Sequence, residues 1–165
     1  MRALVWIVDD TWQATVAEAA AYLPADAEIT LLHVTSTEAE GAARAARHAL
    51  LGRPHPSRGN IEPLRAVSDL AAEGLLAEAG ARLGRPVRCE TRRGRPEREV
   101  VAAAEDMDIL VLARDGDHTR LGPRSLGPAA RFVVDHAPCR VLLIWPDVAP
   151  AVTAIPPGPG APPRR

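Results

Sequence analysis

DILVLARDG, residues 108–116, is an apolar run from Ile109 to Ala113 that stops abruptly at Arg114-Asp115-Gly116. Residues 108–113 read as a strand with no polar face, and a strand buried on both sides belongs to a parallel sheet covered by helices. A glycine-bearing loop, RDGDHTRLGPRSLG (114–127), follows it, then a helix over 128–136 with Phe132 and Val133 as its apolar face. The strand RVLLIW (140–145) closes the pattern. Upstream, Pro96 or Glu97 opens a helix to about Asp106 with Val100 and Val101 facing inward. Arg92-Arg93-Gly94-Arg95-Pro96 reads as a turn, preceded by a half-exposed strand, PVRCET (86–91).

The first half of the chain repeats the alternation. ALVWIV (3–8) is a strand ending at Asp9-Asp10-Thr11, and the next stretch puts Trp12, Val16, Ala19, Ala20 and Leu23 on one helical face. Thr11 or Asp10 is the N-cap and Pro24 the terminator. EITLLHV (28–34) is the second strand, followed by a Glu- and Ala-rich short helix (38–51) and a loop, GRPHPSRGN (52–60). A long helix covers 62–83, with Leu64, Val67, Leu70, Leu75 and Leu83 near helical spacing and Gly84 where a C-terminal glycine belongs. Five strands with interleaved helices predict one open, doubly wound parallel α/β domain over 1–145, with helices on both faces. Residues 146–165 hold seven of the 16 prolines and read as a disordered Pro-rich tail.

Composition removes several classes of function. The 165 residues carry 20 arginines and no lysine, so P-loop lysines, Schiff bases and Ser-x-x-Lys pairs are excluded. An all-Arg basic set reads as the codon bias of a GC-rich, bacterial genome. A formal net charge of -1 argues against nucleic-acid binding, and the basic run Arg92, Arg93, Arg95, Arg98 is followed by acids and reads as a solvated face. Cys89 and Cys139 have no metal-ligand spacing to the five histidines and fit a reducing cytoplasm. No run approaches the 18 or so apolar residues of a membrane span. Met1-Arg2, six apolar residues and Asp9-Asp10 are too short and too soon acidic for a signal peptide.

In an open parallel sheet, ligands sit beyond the carboxyl ends of the strands where strand order reverses. The candidates are Asp9, Asp10 and Thr11 after the first strand, and Ala113-Arg114-Asp115-Gly116 with Gly127 at a helix start after the fourth. Glycines admit a ligand to backbone N–H groups and a helix start carries about half a positive charge, so phosphate is the natural guest. Each other constellation has a plain structural reading beside a functional one. Cys139 follows His136 by three residues, but Pro138 intervenes in a helix-to-strand turn, so structure is preferred to an activated thiol. Ser125 in GPRSLG has the wrong spacing for a nucleophile elbow. His33 reads as a packed strand histidine; His118 either reaches a phosphate from the loop or faces solvent. Asp9 and Asp10 either hold Mg²⁺ through water or, for Asp10, cap a helix.

The first strand's closing Val-Asp, LLHV in the second, and DILVLARDG, then LG (126–127), then VVDHAPCRVLLI together resemble the universal stress protein family over roughly residues 2–145. The resemblance implies a Rossmann-like sheet of order 3-2-1-4-5, a cytoplasmic homodimer and, in many members, an adenine-nucleotide site. The family signature G-x2-G-x9-G followed by Ser or Thr falls on Ala113, Gly116, Gly127 and Pro128, with ten spacer residues instead of nine. The positions that flank the adenosine fall on Asp9 and Val34, so the nucleoside end is kept and the phosphate end is damaged.

Pro128 has neither a hydroxyl nor a backbone N–H, which removes two donors from the phosphate end. At about 1.5–3 kcal/mol per charged hydrogen bond that is about 3–6 kcal/mol, or roughly two to four decades of affinity. Asp115 and Asp117 add negative charge, which Arg114, Arg120 and Arg124 offset only if turned inward. The bland reading of Pro128 is a good helix starter.

The expectation is therefore a non-enzymatic stress-response module that binds ATP or another adenine nucleotide weakly, with Mg²⁺ only alongside the nucleotide. It would pair as a homodimer through Val141, Leu143 and Trp145 of the last strand, an apolar edge. One alternative is a slow ATPase using Asp9 or Asp10 for metal and Gly116, Gly127 and Arg120 for phosphates. The other is a pure protein-interaction module with a vestigial pocket and a docking tail.

Overall fold

The computed structural model describes residues 1–37 and 62–155, with side chains from Arg65 onward in the second stretch. The elements are β1 (Arg2–Trp6), α1 (Trp12–Tyr22), β2 (Glu28–Ser36), α2 (Glu62–Leu83), β3 (Arg88–Gly94), α3 (Pro96–Ala103), β4 (Ile109–Ala113), α4 (Pro128–His136) and β5 (Arg140–Ile144). The five strands form one parallel sheet in the order β3-β2-β1-β4-β5.

Side chains alternate across a strand, so an unbroken apolar strand feeds two cores at once. On one face Ala3, Val5, Ile7, Leu31 and Val111 join α1 and α2 through Trp12, Val16, Ala19, Leu76 and Ala79. On the other, Leu4, Trp6, Leu32, Val34, Leu110 and Leu112 join α3 and α4 through Val100, Ala103, Ala130 and Val133. Each fully buried Leu or Val contributes about 1.5–3 kcal/mol, and β1 and β4 are apolar throughout Ala3–Trp6 and Ile109–Ala113.

Several expectations change in detail. Ala20 is exposed and Thr15 takes the inward place on α1, its hydroxyl donating to the Thr11 carbonyl at 2.9 Å. Thr11 does occupy the N-cap, but no side chain caps the helix. Val67 and Leu70 are about two-thirds exposed, whereas Leu83 is buried and Leu75 packs against the core as expected, joined on α2 by Ala72, Leu76 and Ala79. Gly84 ends α2 at φ 70, as a helix C-terminal glycine does.

The turn expected at 92–96 is instead the end of β3, where Arg92, Arg93 and Gly94 pair with Val34, Thr35 and Ser36. Edge position makes charge acceptable there. Arg92 pairs with Glu90 at 2.6 Å, Arg93 with Asp69 at 2.6 Å and Arg95 with Glu97 at 2.8 Å, while Arg98 lies 4.6 Å over the Phe132 ring. Phe132 is thus a half-buried surface stack rather than part of the α4 core face, which Ala130 and Val133 supply. The expected helix at 38–51, the loop at 52–60, the Leu64 side chain and residues 156–165 of the Pro-rich tail lie outside the described residues. Within 146–155 the chain makes one 3-10 turn, Val152–Ala154.

At the amino end of the sheet Asp108 and Arg2 latch β4 to β1. The Arg2 N–H donates to Asp108 Oδ2 at 2.6 Å and the Asp108 N–H donates to the Arg2 carbonyl at 2.9 Å. The N–H that Arg2 donates to the carboxylate, ahead of the nearby positive charges, holds the Asp108 carboxyl below the usual aspartate range. A carboxyl depressed on folding stabilises the fold above its unfolded pKa and loses that contribution as pH falls through the folded one. Asp108→Asn should therefore melt below wild type at pH 7, with the gap closing in acid; equal melting at pH 7 would contradict the latch. Leu110→Ala, at a fully buried position, should cost about 2–5 kcal/mol in denaturant unfolding.

Candidate nucleotide site

Strand order reverses between β1 and β4. The register sets Val5 opposite Val111, so the segments leaving both strands emerge side by side at the carboxyl edge. After β1 the chain turns at once: the N–H groups of Thr11 and Trp12 both donate to the Val8 carbonyl, at 3.0 and 2.9 Å. Asp9 and Asp10 sit exposed on that turn. Val34 lies two residues beyond the Trp6–Leu32 pair at the same end, but is 7% exposed, so its side chain belongs to the core. The His33 ring donates from Nδ1 to the Ile7 carbonyl at 3.0 Å, tying the ends of β1 and β2 together. Among the described residues no group of three or more His, Cys, Asp or Glu side chains is placed to hold a metal ion.

The segment after β4 is the more elaborate half. Ala113, at the first signature position, is buried at the strand end, and the Arg114 N–H pairs with the Ile144 carbonyl at 3.0 Å. The loop then folds back on itself: Gly116 N–H donates to the Ser125 carbonyl at 3.1 Å and Asp117 N–H to the Arg124 carbonyl at 2.8 Å. This approach demands glycine, since a Cβ at 116 would lie 2.3 Å from the Arg124 carbonyl oxygen and 2.8 Å from the Ser125 carbonyl carbon. Ser125 is fully buried; its hydroxyl donates to the Gly122 carbonyl at 2.7 Å and accepts from Arg114 Nη1. It is a peg inside the loop, with no base beside it.

Charged groups at this edge are largely engaged. The Arg114 guanidinium also lies 4.6 Å over the Trp145 ring. Arg120 Nε binds Asp117 Oδ2 at 3.0 Å. Thr119 gives Asp117 both its hydroxyl, at 2.5 Å, and its N–H, at 3.0 Å; these bonds, ahead of Arg120, hold the Asp117 carboxyl below the usual range, so it stays ionised. His118 donates from Nε2 to the Arg114 carbonyl at 2.9 Å, with Nδ1 3.9 Å from Asp147 and its ring edge-on to Trp145. His118 is therefore a loop fastener rather than a free arm.

Gly127 is the N-cap of α4 and Pro128 its first residue, exposed and without an N–H. The Gly127 N–H donates to Asp115 Oδ1 at 2.7 Å. Phosphate oxygens need free N–H groups at this helix start and along the glycine loop. Gly116, Asp117 and Gly127 have theirs committed and Pro128 has none. From sequence Asp115 reads only as unfavourable charge; its role as acceptor for Gly127 required the fold.

Burial, followed by the Asp108 carboxylate, pushes the Cys139 thiol up, and His136 is bonded from Nδ1 to the Phe132 carbonyl at 2.8 Å and stacked on that ring. No activated thiol is formed. Of the last-strand residues, Val141 and Leu143 are half-buried against the α3–α4 core, and Trp145 lies under Arg114. β5 is hydrogen-bonded to β4 on one side and ends the sheet on the other.

With known proteins, the model of the universal stress protein family matches residues 2–144. Among solved structures, the chain is similar to the hypothetical protein MJ0577, at 21% identity and TM-score 0.59 over 87% of this chain and 94% of that one. A universal stress protein in complex with cAMP is similar at 15% identity and TM-score 0.57, over 89% and 98% of the two chains. A universal stress protein from Archaeoglobus fulgidus follows at 16% and 0.55, over 87% and 97%. At these identities the likeness establishes the fold. A search of curated proteins gave no match.

The closeness at Gly116 is directly testable. Gly116→Ala should destabilise the chain by about 1–3 kcal/mol, as overpacking does, and speed amide exchange within 114–127. Unchanged stability and exchange would mean the loop is not closed as described.

Proposed function

The chain belongs to the universal stress protein family, and from that premise we propose that it is a cytoplasmic stress-response module, homodimeric through β5, whose adenine-nucleotide site is weak at its phosphate end. The observation that carries this reading is the closed loop after β4, in which the N–H groups of Gly116 and Asp117 are bound to the loop's own carbonyls. Pro128 removes a further donor. The cAMP complex of a structural neighbour supports an adenine-nucleotide ligand. One phosphodiester charge is easier to place near Asp115 and Asp117 than the several charges of ATP, because repulsion grows with each added charge.

Such a protein acts by a change of conformation or partner, biased by a ligand that binds two states unequally. Turnover has little support in the loop: Ser125 is spent on structure, and Arg120, the clamp a hydrolase would use, is bound to Asp117. Dimerisation is supported by the open edge of β5 and its apolar residues Val141 and Leu143.

Calorimetric titration of the wild-type chain should give millimolar or weaker ATP binding with Mg²⁺, and AMP and cAMP binding no weaker than ATP. Micromolar ATP binding would overturn the reading. Mg²⁺-dependent phosphate release, absent in a no-protein control and lost in Gly127→Trp, would instead support a slow ATPase. Sedimentation should show a dimer; a wild-type monomer at tens of micromolar would remove the β5 interface.

A further inference from the structure

Resting on the reading of a weakened phosphate end, we propose that Asp115 is the specificity-determining residue of this site. Its carboxylate is an anion that the chain itself supplies at the start of α4, and it excludes phosphate groups from that position.

The start of a helix presents N–H groups with no intrahelical acceptor and a partial positive charge. α4 lacks the usual local means of satisfying them. Its N-cap is Gly127, which has no side chain, its first residue is Pro128, and its third is Ala130, where a capping-box glutamate would otherwise reach back to the N-cap N–H. Asp115, twelve residues earlier, makes that bond instead, with Oδ1 2.7 Å from the Gly127 nitrogen. The carboxylate lies flat against the glycine: a Cβ built at 127 would sit 2.9 and 3.0 Å from its two oxygens.

Asp115 is held in this position by its neighbours. Arg114 is fixed through its N–H to Ile144, through Nη1 to Ser125 and through its guanidinium over Trp145. Gly116 is fixed to the Ser125 carbonyl. The backbone on both sides of Asp115 is therefore set, and its side chain has a short path to the helix start. A phosphate oxygen approaching the Gly127 N–H meets a bound carboxylate oxygen, losing the donor and gaining a like charge in contact. The site thus selects ligands with no phosphate at this position, such as a nucleoside, over nucleoside polyphosphates.

Inorganic tripolyphosphate tests this without requiring a nucleoside pocket. It would be titrated calorimetrically into wild type, Asp115→Ala and Asp115→Asn, with binding located by amide resonances. Asp115→Ala frees the Gly127 N–H and removes the charge, and should bind at least tenfold tighter than wild type with Gly127 and Gly116 perturbed. Asp115→Asn keeps an acceptor oxygen and should gain less, at least threefold; it decides the matter if the alanine variant fails to fold. Equal binding by wild type and the folded variants, or micromolar binding by wild type, would overturn the proposal. Adenosine and cAMP run in parallel separate the two ideas. If they bind wild type while tripolyphosphate gains nothing, Asp115 is not the determinant. If neither binds while the variants gain tripolyphosphate, the weak-nucleotide reading falls and the role of Asp115 stands.

Discussion

A strand buried on both faces has no side on which to carry chemistry, so everything reactive or polar must lie where the strand ends. β1 and β4 meet this constraint: Ala3, Leu4, Val5, Leu110, Val111 and Leu112 are all fully buried, and the first exposed acids, Asp9 and Asp115, follow soon after the strand ends. Because the chain builds outward from β1 on one side and from β4 on the other, these two ends are neighbours without any contact having to be specified for the purpose. The position of the site is a consequence of topology, and its chemistry is a matter of a few loop residues.

Those residues have been used mainly to satisfy one another. Gly116, Asp117, Ser125 and Gly127 are hydrogen-bonded within 114–127, and Arg114, His118 and Trp145 stack across its base. A loop open for a polyanion needs unpaired donors, which are costly to keep without a ligand. A loop that supplies its own acceptors is stable empty and correspondingly poor at capturing anions. The glycine at 116 is therefore no evidence of phosphate binding by itself, since the fold requires it for close packing whether or not a phosphate arrives.

The parts of this structure legible in the sequence are those set by burial. The run 109–113 marks a two-faced strand, Gly84 marks a helix end, and Pro128 marks a helix start. The parts misread are those where apolar content and burial separate. α2 buries Leu76, Leu83 and two alanines and leaves Val67 and Leu70 exposed, so counting large apolar residues finds the stripe only in the second half of the helix. β3 extends through Arg92, Arg93 and Gly94 because an edge strand accepts charge when acids lie alongside, which composition alone reads as a turn. At the site, the changes at 113 and 128 are visible as departures from a signature. The Asp115–Gly127 bond is not, because it joins residues twelve apart through a fold-back whose shape depends on a buried serine.

That fold-back also joins the site to the sheet edge. The loop begins with Arg114 donating to Ile144, the last residue of β5, and its guanidinium covers Trp145, the next. His118 returns to the Arg114 carbonyl and rests edge-on against the same indole. The segment that carries Asp115 and the end of β5 therefore share one set of contacts. The strand ends and the last strand of the sheet are thus joined by one continuous set of contacts, running through Arg114, His118 and Trp145.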